Sequence, residues 1–157
     1  MLFSSFSFLL WFLPLVVLLH GIAPVRAKNA VLLFASVFFY AWGEIRYLPL
    51  IGLSLVLNYG LGIAAASTRP LRRHIAVAAS LLLNIGALVF FKYTGFLLGM
   101  IGLSACAPMI SLPLGISFYT FQTQAYVLDV SQRRFPPERR FIDYATFLLL
   151  FPQLIAG

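Results

Sequence analysis

The apolar residues of this chain do not alternate with polar ones as they would in a half-buried strand. They run in long blocks, and the charged residues gather in the gaps. Blocks of this kind predict helices that are apolar all round, the form taken by membrane-spanning segments. The first block runs from Phe3 to Leu19. Pro14 within it is tolerable in a membrane helix, where neighbouring groups re-satisfy the freed carbonyl. A loop with Arg26 and Lys28 follows. Ala30 to Ala66 is then apolar except for Glu44, Arg46 and Asn58. As one helix it would be about 55 Å long at ~1.5 Å per residue, too long for a single crossing of a ~30 Å hydrocarbon core. The break is expected at Gly43-Glu44-Ile45-Arg46, where two charges, a glycine and nearby Pro49 coincide. That leaves helices at Ala30–Trp42 and Tyr47–Ala66, folding back or bending sharply, with Glu44 and Arg46 capping a hairpin turn.

Beyond the polar loop Ser67-Thr68-Arg69-Pro70-Leu71-Arg72-Arg73-His74, a further span is predicted from Ile75 to about Phe91, closed at an interface by Lys92 and Tyr93. Thr94 to Ser111 is only weakly apolar and is interrupted by Gly95, Gly99, Gly102 and Pro108. Spans at Leu114–Val130 and Phe141 to about Ile155 complete the series. If Thr94–Ser111 does not cross, nine cations fall on one side (Arg26, Lys28, Arg69, Arg72, Arg73, Arg133, Arg134, Arg139, Arg140) and only Arg46 and Lys92 on the other. The positive-inside rule is then obeyed throughout. The expectation is therefore an all-α, polytopic transmembrane helix bundle of about six spans plus a re-entrant or surface helix. It forms one integral membrane domain over residues 1–157, with its N-terminus outside.

Composition strengthens this picture. Apolar residues make up 62% of the chain and charged residues 10%, against roughly 25% charged in soluble domains. The net charge of +7 would raise nucleic-acid binding in a soluble protein. Here the cations sit between apolar runs, so topology explains them and no nucleic acid is expected as a partner; the lipid bilayer is. No Lys or Arg precedes the first apolar run, which therefore reads as a retained span and not a cleaved signal. The lone Cys106 has no Cys or His neighbour at ligand spacing and reads as a packing residue, and no metal site is expected.

The span that departs most from hydrocarbon is the last but one. Tyr119, Gln122, Tyr126, Asp129 and Arg133 fall at steps of three and four and share one helical stripe. Asp at a helix centre facing lipid costs about 2.5–3.5 kcal/mol, so the stripe should face protein or a water-filled cavity. Interhelical glue, at ~0.6 kcal/mol per bond, and the lining of a substrate path both fit, and Asp129 could simply pair with Arg133. Periodicity does not choose between them. His20 and His74 both lie at predicted membrane edges without a catalytic or ligating partner at the right spacing. The loop carrying Arg133, Arg134, Arg139 and Arg140 suits lipid headgroups, and its guanidinium forks would equally match a phosphate-bearing cytoplasmic donor.

Four stretches in order, MLFSSFSFLLWFLPL at the start, FFKYTGFL at Phe90–Leu97, LPLGISFYTFQTQAYVLDV at Leu112–Val130 and FPQLIAG at Phe151–Gly157, together resemble the membrane-bound O-acyltransferases. The nearest branch in appearance is the alginate O-acetyltransferase membrane subunit, with D-alanyl transfer in teichoic acid modification as a relative. The resemblance implies a helical bundle around a funnel, through which an acyl group from a cytoplasmic thioester donor passes to an acceptor outside, in the inner membrane. No bound cofactor is expected. Exported polysaccharide and extracytoplasmic acetyl-transfer proteins are the implied partners. The resemblance favours the stripe of Tyr119, Gln122, Tyr126 and Asp129 as funnel wall. It also implies that the catalytic histidine lies in the later half of a longer chain, so neither His20 nor His74 takes that role and the chain reads as an N-terminal portion. Two alternatives remain: a non-catalytic membrane protein that assembles with a polysaccharide-export system, and a transporter half, which would need a paired inverted repeat.

Overall fold

A computed structural model describes residues 8–100, 113 and 115–151, and all its regular elements are helical, with no strand among the described residues. A π turn at Phe8–Phe12 leads into α1, Leu13–Ile22. The wide turn directly precedes Pro14, whose missing N–H would interrupt an α ladder. A short 3-10 turn at Val25–Ala27 precedes α2, Lys28–Glu44, and another at Ile45–Tyr47 precedes α3, Leu48–Ala65. α4, Pro70–Leu88, continues through a π turn at Val89–Tyr93 into α5, Thr94–Met100. α6, Ile116–Ser131, and α7, Phe141–Leu149, complete the set.

The predicted break in the long second block falls where expected, at Glu44, whose backbone leaves helical values at φ −148° and ψ 67°. Glu44 gives the following turn no side-chain cap, and after this one departure from helical geometry a 3-10 turn resumes at once. The next helix also differs from expectation. It does not stop at Lys92 and Tyr93 but passes through the π turn to Met100, because the Thr94 hydroxyl donates to the Phe90 carbonyl at 2.6 Å and so satisfies an acceptor at the wide turn. The rest of the Thr94–Ser111 segment, Cys106 and the end of the last predicted span lie outside the described residues.

Two helical stretches, Val25–Ala65 and Pro70–Met100, are long and apolar enough to cross a membrane, and Leu10–Ile22 is a shorter apolar helix. Neither long stretch is mostly buried, as a soluble core helix would be. α1 buries only Val16, while Trp11 before it stands 78% exposed and Leu15, Val17, Leu18 and Ile22 are exposed as well. An apolar surface on every side of a helix calls for an apolar surrounding. The all-helical fold and this exposure mark a membrane protein.

The chain divides into two compact units. One takes Met1–Tyr59 and Glu138–Gly157. In it α2 packs on α1 and α7 over a core of Phe8, Val16, Phe39 and Phe151. The Phe8 ring meets Phe39 edge-on at 5.2 Å and Phe151 at 5.8 Å. Two polar contacts fix the α2–α7 register. Asn29 donates from its amide to Asp143 at 2.8 Å, and the Phe151 N–H donates to the Ser36 hydroxyl at 3.2 Å. The other unit, Gly60–Pro137, holds the end of α3 and α4 to α6. There α4 packs antiparallel on α6, with the Lys92 ammonium 3.4 Å from the Ser117 hydroxyl near one end.

Candidate functional site

The polar helix α6 is set by unusual residues at both ends. Gly115 enters it with φ 70°, a left-handed conformation that costs glycine nothing, and its carbonyl takes the Tyr119 N–H at 3.0 Å. At the other end Arg133 takes φ 60°. The Arg133 N–H reaches the Val130 carbonyl and the Arg134 N–H the Asp129 carbonyl, both at 3.0 Å. These two bonds make a Schellman closure in which arginine stands where glycine is the usual occupant.

Of the predicted stripe, Tyr119 and Tyr126 are buried and Gln122 and Asp129 half-buried, so all four lie on one stretch of α6 and none is fully exposed. Tyr126 lies against α3: a Cβ on Gly62 would come within 2.7 Å of its ring. Its other neighbour is Phe135, 6.0 Å between ring centres. The Asp129 carboxylate pairs with Arg134 at 2.9 Å and not with Arg133. The closure explains the difference, since it folds Arg134 back over the last turn while the left-handed Arg133 swings away.

A second polar surface of α6 lies off the predicted stripe. Thr120, Thr123, Gln124 and Val127, at helical spacing, are all buried, and α4 is the helix packed on α6. The Ser80 hydroxyl donates to the Gln124 carbonyl oxygen at 3.2 Å, and the Asn84 amide donates to the Ser80 carbonyl and hydroxyl at 2.9 and 3.1 Å. The signal was present in the row Ala76, Ser80, Asn84, one residue per turn within an otherwise apolar span. Gln124, at least, takes part in bonding between helices.

The cations separate. Arg139 and Arg140 belong to the first unit, where the Tyr59 hydroxyl donates to the Arg139 carbonyl at 2.6 Å and Arg140 lies 3.5 Å from Asp143. Arg133 and Arg134 belong to the second. There, the antiparallel packing brings Arg73 and His74 of α4 to Gln132 and Arg133 at the end of α6, around an open recess of about 750 Å³ floored by Val77 and Leu81. Two loops that the charge pattern puts on one side of a membrane thus meet at one end of this unit. No group of three or more His, Cys, Asp or Glu residues suited to a metal occurs among the described residues.

The whole chain is 39% identical to a protein of Azotobacter vinelandii named "Probable alginate O-acetylase AlgI", covering 34% of that protein. A protein of the same name from Pseudomonas aeruginosa is 38% identical, with 32% of its length covered, and the peptidoglycan O-acetyltransferase of Helicobacter pylori is 34% identical, with 36% covered. All of this chain is matched in each case, and it spans about a third of the length of these relatives. The resemblance to the membrane-bound O-acyltransferases is therefore borne out along its full length. No family model and no solved structure matches the chain.

Proposed function

We propose that this chain, whose whole-length relatives are O-acetyltransferases of the membrane-bound O-acyltransferase family, forms part of an enzyme that acetylates hydroxyls of an exported polysaccharide. The observation that carries this is the unbroken similarity to relatives whose names share O-acetyl transfer. In the reaction the acceptor hydroxyl attacks the carbonyl carbon of an acyl thioester. The new C–O bond forms as the C–S bond breaks, and the hydroxyl proton passes through a general base to the departing thiolate. The resemblance implies a histidine as that base. The chain itself supplies about six crossings of one integral domain in the inner membrane, N-terminus outside, with Tyr119, Gln122, Tyr126 and Asp129 toward the substrate path and Arg133, Arg134, Arg139 and Arg140 toward the cytoplasmic donor or lipid headgroups.

Neither His20 nor His74 makes a side-chain hydrogen bond or ion pair among the described residues, which favours a second reading in which the chain only assembles with a polysaccharide-export system. A chimera separates the two. The matched segment of the Azotobacter relative is replaced by this chain and expressed in a strain lacking that relative, and polysaccharide acetyl content is measured. The chimera should restore acetylation, and the chain alone should not. A chimera that inserts normally but leaves the polysaccharide unacetylated defeats the enzymatic reading.

A further inference from the structure

The recess between the start of α4 and the end of α6 has a chemistry of its own. Its rim carries Arg73, His74, Gln132 and Arg133, and its floor is the apolar side of α4 at Val77 and Leu81. The rim side chains make no hydrogen bond or ion pair among the described residues, whereas nearby Arg134 is neutralised by Asp129 at 2.9 Å. The α4 N-terminus and the α6 C-terminus bring helix-end charges of opposite sign and about half a unit each, which largely cancel. The two guanidinium charges therefore decide the sign. Arg133 holds its place although its left-handed backbone, at φ 60°, would suit glycine without strain.

From this geometry we infer that the recess binds a phosphate group. Guanidinium forks match phosphate oxygens two at a time, and the Gln132 amide adds a neutral donor. Two sources offer this chemistry: the headgroup of an anionic phospholipid, whose chain lies against Val77 and Leu81, and the phosphate of a free solute. The inference does not depend on acyl transfer, because it rests on the rim charges and the floor alone.

The test uses the whole chain purified in a neutral detergent. Retained phosphatidylglycerol is compared with phosphatidylcholine by native mass spectrometry, and inorganic pyrophosphate is titrated by calorimetry. Wild type should keep phosphatidylglycerol in preference or bind pyrophosphate. Arg73→Gln and Arg133→Gly should each weaken that binding at least roughly tenfold, the loss expected for a charge-assisted bond. Arg26→Gln, in the other unit, should leave it unchanged. Glycine fits the backbone at position 133, so Arg133→Gly removes the charge without disturbing the fold, and an unchanged far-ultraviolet circular dichroism spectrum verifies this. Phosphatidylglycerol binding that pyrophosphate does not displace assigns the recess to lipid, binding of pyrophosphate alone assigns it to a solute, and mutual displacement shows that either phosphate is accepted. Equal retention of both lipids with no pyrophosphate binding, or an equal loss in Arg26→Gln, overturns the inference.

Discussion

Gly62 and Tyr126 are the tightest approach between two helices among the described glycines. A methyl group at Gly62 would stand 2.7 Å from the Tyr126 ring, while one at Gly60 would meet nothing within 4 Å. Overpacking costs about 1–3 kcal/mol, against a helix-propensity gain of ~1 kcal/mol for glycine to alanine. Gly62→Ala should therefore lower the thermal unfolding midpoint in detergent, and Gly60→Ala should leave it unchanged or raise it. Equal shifts would mean that α3 and α6 do not approach as described. Arg133 gives the opposite case. Arg133→Gly should stabilise by ~1 kcal/mol because the left-handed backbone disfavours a Cβ, and Arg133→Val should destabilise, both readable from the same melts. Neither residue's role was legible beforehand. Which glycine meets a ring depends on tertiary packing, and nothing in Ser131-Gln132-Arg133-Arg134 announces a left-handed residue without glycine.

At the scale of elements the pattern of apolar blocks carried much further. The starts and ends of α2, α3, α6 and the start of α7 fall within a few residues of the predicted spans, since blocks ended by charges and prolines leave little choice. What it missed is what periodicity cannot carry. Glu44 and Arg46 looked like the caps of a turn, yet Glu44 gives the turn no side-chain cap. Lys92 looked like an end, yet a π turn takes the helix past it. On α6 the stripe through Gln122 was visible as spacing, but the partner helix that chooses Gln124 for bonding to Ser80 was not. The two amides should accordingly behave differently in the chimera. Gln124→Leu breaks an interhelical bond of about 0.6 kcal/mol, so its defect should appear as reduced membrane abundance on immunoblots. Gln122→Leu should reduce acetylation per molecule at normal abundance, since small changes in substrate placement are expensive in rate. Matching effects on abundance and none on specific activity would make both amides packing residues.

For the molecule as a whole, the proposed sidedness rests on charge. With nine cations expected on one side and two on the other, a reporter active only in the cytoplasm should work when fused after Arg73 or Arg140 and stay silent after Arg46 or Lys92. Activity at Lys92 with silence at Arg140 would invert the topology. One feature of the fold also bears on how the protein is made. The first unit is discontinuous: its opening helices are synthesised long before α7, and the residues that lock them, Asn29 to Asp143 and Ser36 to Phe151, lie 114 and 115 positions apart. At ~5–20 residues per second, translation leaves α1 and α2 waiting on the order of 6–20 s for their partner. During that interval the Ser36 hydroxyl is held by the Leu32 carbonyl of its own helix at 2.8 Å, so the later contact can form without first exposing a bare polar group to lipid. Asn29 has no such internal acceptor among the contacts described, and it lies exposed near the start of its helix, beside Lys28, where headgroups and water can solvate the amide until the ribosome delivers Asp143.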